Sequence, residues 1–236
     1  MKTLILSDIH SNIIALEAIW VQEKDSDFIC CTGDLVDWGP HPQEVIAWIK
    51  THDVLTTQGN HDQWVCMNYR QGNIGKTVPL KKRGWEHHNA AKLSEADIRY
   101  LESLPEAVTF ELDGIHYGLT HLVKGYDELV SLHAYEQFRQ KRFGGTPFTR
   151  LILGHTHRQA IRYLDNDLLW LNPGSVSYRR QDDPDQTAHY MTIVNGRIQF
   201  HRLDYDFSPL YKATQKIAIK EGHKTVASQF WKPPQK

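Results

Sequence analysis

Short apolar runs of strand length recur along this chain, and each of them ends in a glycine or a polar residue. The run 27–31, for example, is followed by Gly33, Asp34 and Asp37. Between the first few of these runs lie stretches in which the apolar residues have helical spacing, as over residues 12–24. This alternation predicts an α/β fold with a mostly parallel sheet, whose polar residues collect at the carboxyl ends of the strands.

The same patterns place the individual elements. Strands are predicted over residues 3–6, 27–31, 54–57, 106–112, 115–119, 151–153, 160–164, 168–171, 189–194 and 197–203. Helices are predicted over residues 12–24, 42–50, 126–143 and 209–220. The dipeptides Asp113-Gly114 and Asn195-Gly196 are strong signals for hairpin turns.

The pattern changes between Gln63 and Leu104, where no strand is evident. A glycine-containing loop is followed there by two predicted helices, and the second begins with Ser94 as its cap and Asp97 in the capping-box position. We interpret this stretch as a helical insertion at about residues 63–105 within a single domain that covers residues 1–236.

Composition excludes several classes of protein. The formal net charge of −1 provides no overall field that would recruit nucleic acid or an anionic membrane surface. No apolar run approaches the roughly 20 residues that span a bilayer. The first acidic residue, Asp8, comes too early in the chain for a signal peptide. The 3 cysteines have no paired spacing, which favours reduced thiols in a cytoplasmic protein.

The polar residues expected at the rim of the sheet form a distinctive set of donors. They are Asp8, His10, Asp34, Asn60, His61, His121, His155 and His157. Carboxylate oxygens with imidazole nitrogens suit Mn, Fe, Zn, Co or Ni and suit Ca or Mg poorly. The set is too large for one tetrahedral ion and about large enough for two ions that share a carboxylate.

These residues resemble the ordered motifs of the calcineurin-like metallophosphoesterases. The matching motifs are Asp8-x-His10, Gly33-Asp34-x-x-Asp37, Gly59-Asn60-His61-Asp62, His121 and Gly154-His155-x-His157. The later run Asn172-Pro173-Gly174-Ser175-Val176 makes the chain most similar to the small bacterial branch, with phosphodiesterase-like and diadenosine-tetraphosphatase-like members. The resemblance implies a four-layer αββα sandwich of two mixed sheets.

The resemblance also implies a role for each residue. One metal ion is expected on Asp8, His10 and His157, a second on Asn60, His121 and His155, with Asp34 bridging both. A hydroxide between the ions is the expected nucleophile, which requires no covalent enzyme intermediate. His61 is expected to protonate the leaving oxygen or to stabilise the developing charge, and Asp37 to orient it through a hydrogen bond. The cofactor is expected to be two divalent ions, with Mn first and Fe, Zn, Co or Ni as alternatives.

One position departs from the family pattern. Many protein phosphatases of this family have an arginine directly after the second aspartate, where this chain has Trp38. We therefore expect Arg179 or Arg180 to supply the missing positive charge, and Asn60 and Trp38 to contact the substrate. Trp38 and Trp64 could stack a base, or they could pack in the core or as a lid.

The preferred function is two-metal hydrolysis of a small nucleotide phosphodiester or dinucleoside polyphosphate. A phosphomonoesterase, including a protein phosphatase, is the alternative enzyme. A non-catalytic scaffold on the same fold and a metal sensor are the alternatives from other classes, and the presence of His61 beside a complete ligand set disfavours both. The sequence gives no indication of a nucleic-acid or membrane partner or of the oligomeric state.

Overall fold

The computed structural model of the protein describes residues 1–121, 129–177 and 186–220. The strands in these ranges, numbered in chain order, are β1 (Lys2–Leu6), β2 (Phe28–Cys31), β3 (Leu55–Thr56), β4 (Ala107–Leu112), β5 (Ile115–Thr120), β6 (Arg150–Ile152), β7 (Gln159–Tyr163), β8 (Leu169–Pro173), β9 (Ala188–Val194) and β10 (Arg197–Leu203). The helices are α1 (Ile13–Glu23), α2 (Pro42–Thr51), α3 (Asn60–Arg70), α4 (Trp85–Lys92), α5 (Glu95–Ser103), α6 (Leu132–Phe143) and α7 (Ser208–Gln215). Short 3-10 turns cover Gly75–Thr77 and Leu80–Lys82.

The strands form two five-stranded sheets, ordered β10-β9-β1-β2-β3 and β4-β5-β6-β8-β7. In the first sheet β1, β2 and β3 run parallel, and β9 pairs antiparallel with both β1 and β10. In the second sheet β5, β6 and β8 run parallel, while β4 and β7 pair antiparallel at the two edges. The predicted pair of mixed sheets is therefore confirmed.

The alternation of side chains along β1 shows how the layers form, because successive residues of a strand point to opposite faces. Ile5 belongs to the apolar cluster that joins the two sheets, together with Met191 and Ile152. Leu4 and Leu6 belong instead to the cluster that includes the apolar side chains of α1 and α2. A further cluster packs α6 on the second sheet. The two sheets thus face each other with helices outside, as the predicted four-layer sandwich requires.

Helix α3 is the one long element that the apolar pattern does not predict in the described ranges. Its buried positions include Asp62 and Asn68 as well as Val65 and Cys66. Half of these buried positions are polar, so the helical period of apolar residues is hidden in the sequence.

Helix α6 begins at Leu132, six residues after the predicted start at residue 126. The hydroxyl of Ser131 accepts a hydrogen bond from the N–H of Ala134 at 3.2 Å, which fixes the start of the helix. Residues 126–128 of the predicted helix lie outside the described residues.

Helix α7 ends at Gln215, five residues before its predicted end. The chain beyond it places Ile217 and Ile219 in an apolar cluster with Trp85 of α4. Burial of these side chains against α4 explains why the helix stops early. Helices α4 and α5 are the two helices predicted late in residues 63–105, and the view of that stretch as an insertion into one domain stays a prediction.

Two further predictions from composition can be compared with the structure. The described helices include none that is long and apolar enough to cross a membrane. The cysteines Cys30, Cys31 and Cys66 are free thiols, as predicted, and all three are buried. Burial raises the pKa of the Cys66 thiol to about 12, so this thiol is protonated at neutral pH.

Candidate metal centre

The carboxyl ends of parallel strands bring the predicted site residues to one edge of the two-sheet core. Strands β1, β2, β3, β5 and β6 each end shortly before one or two of them: Asp8 and His10, Asp34, Asn60 and His61, His121, and His155 and His157. In open α/β sheets the loops at this edge carry the ligand sites. The chain topology thus gathers residues that lie far apart in the sequence.

Many of these loops hold non-glycine residues in the left-handed region of backbone space. The φ angle is 53° at Asp8, 48° at His10 and 53° at Asp34. It is 70° at His155 and 61° at His157. Such conformations cost about 1–3 kcal/mol each and persist where the surrounding structure holds a side chain in place for function. Their concentration at this edge indicates a functional site.

One group of side chains consists of Asp8, His10 and His157, all of them buried. Asp8 Oδ1 lies 3.1 Å from His157 Nε2, and the Nε2 atoms of His10 and His157 are 3.3 Å apart. One carboxylate oxygen and two imidazole nitrogens therefore converge, which is a suitable donor set for a divalent transition-metal ion.

A second group consists of Asn60, His121 and His155. Asn60 Oδ1 lies 3.2 Å from His121 Nε2 and 3.1 Å from His155 Nδ1. The loops that carry this group approach closely because residue 154 is glycine: a Cβ atom at Gly154 would collide with Thr32 and with the His121 ring. An amide oxygen and two imidazole nitrogens converge here.

The Asp34 carboxylate lies between the two groups. Its Oδ2 is 3.0 Å from His121 Nε2 and 3.8 Å from His10 Nε2. Its Oδ1 accepts a hydrogen bond of 2.8 Å from the N–H of His61. A Cβ atom at Gly59 would collide with the same carboxylate, so this position requires glycine. One oxygen of Asp34 is thus fixed by the backbone, and the other faces both groups.

His61 forms a hydrogen-bonded pair with Asp37. The two residues are joined by a 2.7 Å hydrogen bond between His61 Nδ1 and Asp37 Oδ2, and His61 Nε2 lies 4.0 Å from Asp34 Oδ2. Burial lowers the pKa of His61, but the Asp34 carboxylate and the hydrogen bond to Asp37 outweigh it and raise the pKa to about 9. The charges of the protein therefore favour a protonated imidazole at neutral pH.

Comparison with known proteins identifies the family of this chain. The model of the calcineurin-like phosphoesterase superfamily domain matches residues 1–196, which include both donor groups and the His61–Asp37 pair. The chain belongs to the calcineurin-like phosphoesterase superfamily. Because the enzymes of this superfamily depend on a binuclear metal centre, the chain is a metal-dependent hydrolase.

Three relatives show how far the similarity of this phosphoesterase extends. The uncharacterized protein MJ0912 of Methanocaldococcus jannaschii is 24% identical over 237 residues, which cover 92% of this chain and 93% of the relative. The crystal structure of a metallophosphoesterase from Sphaerobacter thermophilus has a TM-score of 0.75 at 22% identity and covers 98% of this chain and 99% of its own. Hypothetical protein PH1004 from Pyrococcus horikoshii OT3 has a TM-score of 0.76 at 15% identity, with 96% and 97% covered. These structures share the fold over nearly the whole chain.

The donor set of this phosphoesterase fits metal ions. Within the described part of the chain, Asp8 Oδ1 and Asp34 Oδ2 are buried oxygens that accept no hydrogen bond. Burying a carboxylate oxygen that accepts no hydrogen bond costs free energy of folding. A bound cation would compensate this cost for both oxygens. Burial raises the pKa of each carboxyl, but His157 beside Asp8 and His121 beside Asp34 outweigh it and hold both pKa values well below the usual range. Both groups are therefore ionised and suited to bind metal.

The structure describes the positions of some of the predicted substrate-binding residues and not of others. The Trp38 ring is half-buried, and its centroid lies 6.3 Å from that of His61. Trp64 is 46% exposed, and its ring meets the His61 ring edge-on at 4.5 Å, so it does not belong to the core. Arg179 and Arg180 lie outside the described residues.

Asp62 organises the centre in a way that the sequence pattern does not reveal. Its buried carboxylate accepts hydrogen bonds of 2.9–3.1 Å from the backbone N–H groups of Asp34, Leu35, Val36 and Gly59. It therefore ties the loop after β2 to the start of α3. The motif that contains Asp62 marks its position but not this role.

Asn89 of α4 organises the next part of the same loop, and no motif marks it. Its Oδ1 accepts hydrogen bonds from the Asp37 N–H at 3.0 Å and from the Ser11 hydroxyl at 2.6 Å. Its Nδ2 donates to the carbonyls of Gly39 and Trp85 at 3.0 and 3.1 Å. A fully buried side chain from α4 thus holds the loop that carries Asp37.

We expect the substitution Asn89→Ala to lower the free energy of unfolding by about 2–4 kcal/mol, because it leaves buried donors and acceptors without partners. Denaturant unfolding of the metal-free protein measures this difference. Asn73→Ala changes an exposed asparagine and should have almost no effect. An equally small effect of both substitutions would contradict the role assigned to Asn89.

Proposed function

We propose that this phosphoesterase hydrolyses a small nucleotide phosphodiester or a dinucleoside polyphosphate at a two-metal centre. The observation that carries the proposal is the position of Asp34 Oδ2, which is 3.0 Å from His121, 3.8 Å from His10 and 4.0 Å from His61. A buried carboxylate oxygen that faces two donor groups can be shared by two cations. A protonated imidazole beside it can act on the substrate of those cations.

The proposed ligands follow the two donor groups. Asp8, His10 and His157 would hold one ion, Asn60, His121 and His155 the other, and Asp34 would bridge them. Mn²⁺ is the expected ion, with Fe, Zn, Co or Ni as alternatives, because the donors are oxygen and nitrogen without thiolate. When bound, two such ions lower the pKa of a shared water and neutralise charge on the phosphoryl oxygens.

His61 and Asp37 are the proposed catalytic pair. His61 Nε2 would donate a proton to the leaving oxygen, or stabilise the charge that develops on the phosphoryl group. Asp37 would hold the ring in place through its 2.7 Å hydrogen bond to Nδ1. Asn60 would contact the phosphate as well as the metal, and Arg179 and Arg180 stay proposed substrate contacts outside the described residues.

The substrate class is proposed from the groups around His61. Trp38 stands where many protein phosphatases of the family have arginine, so that positive charge is missing here. The missing charge favours a diester, because a diester carries less negative charge than a monoester. The nearby rings of Trp38 and Trp64 offer an aromatic surface on which a base could stack. The free cysteines fit a cytoplasmic enzyme with such a substrate. An archaeal phosphodiesterase has the same fold, with a TM-score of 0.52 at 16% identity over 86% of this chain and 100% of its own.

Hydrolysis of two chromogenic esters tests this proposal. With Mn²⁺ we expect the wild-type protein to hydrolyse bis(p-nitrophenyl) phosphate faster than p-nitrophenyl phosphate, because the centre is built for the less charged diester. Removal of metal with a chelator should abolish the activity, and added Mn²⁺ should restore it. Faster hydrolysis of the monoester would favour the phosphatase alternative, and activity that survives chelation would contradict the two-metal mechanism.

A further inference from the structure

A small cavity of about 160 Å³ adjoins the second donor group. Its lining comes from the loop before α3 and the first turn of that helix, the residue before β4, the end of β5 and the last turn of α6: Gln58, Asn60, Gln63, Glu106, Thr120 and Arg142. Asn60 is itself one of the proposed ligands, and Thr120 directly precedes His121 in the chain. The cavity therefore shares Asn60 with the second donor group.

The lining of the cavity is polar, and its charges are paired. The guanidinium of Arg142 donates to the carboxylate of Glu106, so the positive and negative charges largely cancel. The remaining groups are the amides of Gln58, Gln63 and Asn60 and the hydroxyl of Thr120. Amides and hydroxyls offer both donors and acceptors. Such a lining suits an uncharged group with mixed donors and acceptors better than a second phosphate.

Several of the lining groups are held by other parts of the chain. Gln58 Nε2 donates to the Leu101 carbonyl at 2.7 Å, and Gln58 Oε1 accepts from Gln63 Nε2 at 3.0 Å. The Thr120 hydroxyl donates to the Glu106 carbonyl at 2.7 Å. These bonds arrange the polar groups in advance, which reduces the entropy cost of binding a ligand.

We propose that this cavity binds one nucleobase of the substrate, with the Gln63 amide and the Arg142 guanidinium contacting the hydrogen-bonding edge of that base. Pockets for whole small molecules usually enclose about 300–1,000 Å³, so a cavity of about 160 Å³ holds only one part of a ligand. The inference rests on the proposed function, because it assigns a place to one substituent of the phosphoester cleaved at the centre.

A pair of diester probes tests the subsite in the Mn²⁺-loaded protein. One is thymidine p-nitrophenyl phosphate, which carries a base, and the other is bis(p-nitrophenyl) phosphate, which carries none. We expect Gln63→Ala to lower kcat/KM for the thymidine ester about five- to tenfold, mainly through KM, by removal of one hydrogen-bonding group. Hydrolysis of the base-free ester should be unchanged. Gln71→Ala, which alters an exposed glutamine directly after the end of α3, should change neither rate.

A binding measurement separates failure of the subsite from failure of the proposed function. Thymidine monophosphate should bind the Mn²⁺-loaded wild type more tightly than inorganic phosphate does, and Gln63→Ala should remove most of that difference. Equal changes for both esters, or an unchanged binding difference in Gln63→Ala, would overturn the subsite. If the wild type hydrolyses neither ester, the proposed function fails, and the binding difference alone decides the subsite.

Discussion

Replacing Asp34 with asparagine is expected to lower kcat for diester hydrolysis by about a thousandfold or more, since loss of several kcal/mol of metal-centred stabilisation has that effect. Asparagine has the same size but no charge, and Oδ2 of Asp34 faces His121 on one side and His10 on the other. Both donor groups would therefore lose their shared anionic ligand. Metal analysis after dialysis should find fewer Mn²⁺ ions per chain than in the wild type.

The substitution Asp53→Asn provides a matched control. Asp53 is exposed and has a φ angle of 48°, close to the 53° of Asp34, so the chemical change and the backbone region are the same. This variant should keep its metal content and its activity. If Asp34→Asn also bound metal and turned over like the wild type, Asp34 would not be the bridging ligand.

The donor residues could be predicted from the sequence because each of them follows the end of a strand. Asp8 and His155 each follow a buried apolar run with one residue between. A parallel arrangement of such strands brings their carboxyl ends to one edge, whatever the separation in the sequence. Local patterns together with topology therefore collect the candidate residues, whereas their division into two donor groups comes from the resemblance to the family.

The supporting residues could not be predicted in this way. Asn89 reaches the Asp37 loop only because α4 packs against it, and nothing near Asn89 in the sequence records that contact. Arg142 reaches the cavity from the last turn of α6, far from any motif. Helix α3 could not be predicted from its apolar pattern, because Asp62 occupies a buried position that an apolar residue usually fills. These features depend on how helices pack, which a single sequence does not specify by local periodicity.

Replacing His61 with alanine is expected to lower kcat about a hundredfold or more with the metal content unchanged, because it removes a proton donor or charge stabiliser and no proposed ligand. The dependence of this loss on the leaving group identifies the role. If His61 protonates the leaving oxygen, the loss will grow with the pKa of the leaving alcohol across a series of diesters. If it only stabilises charge, the loss will be similar for all of them. His116→Ala, which removes a histidine side chain that is 62% exposed, should have no effect.

Asp37→Asn tests the same role through pH. The Asp37 hydrogen bond is among the interactions that raise the pKa of His61 to about 9, so weakening it should lower that pKa. If the protonated form of His61 is required, wild-type activity falls as the pH rises through its pKa, and in Asp37→Asn this fall should begin at lower pH. We expect a loss of kcat at the optimum of about ten- to hundredfold, as is typical when the partner of a working imidazole is removed. An alkaline limb at the same pH in both proteins would mean that another group, and not His61, loses the essential proton.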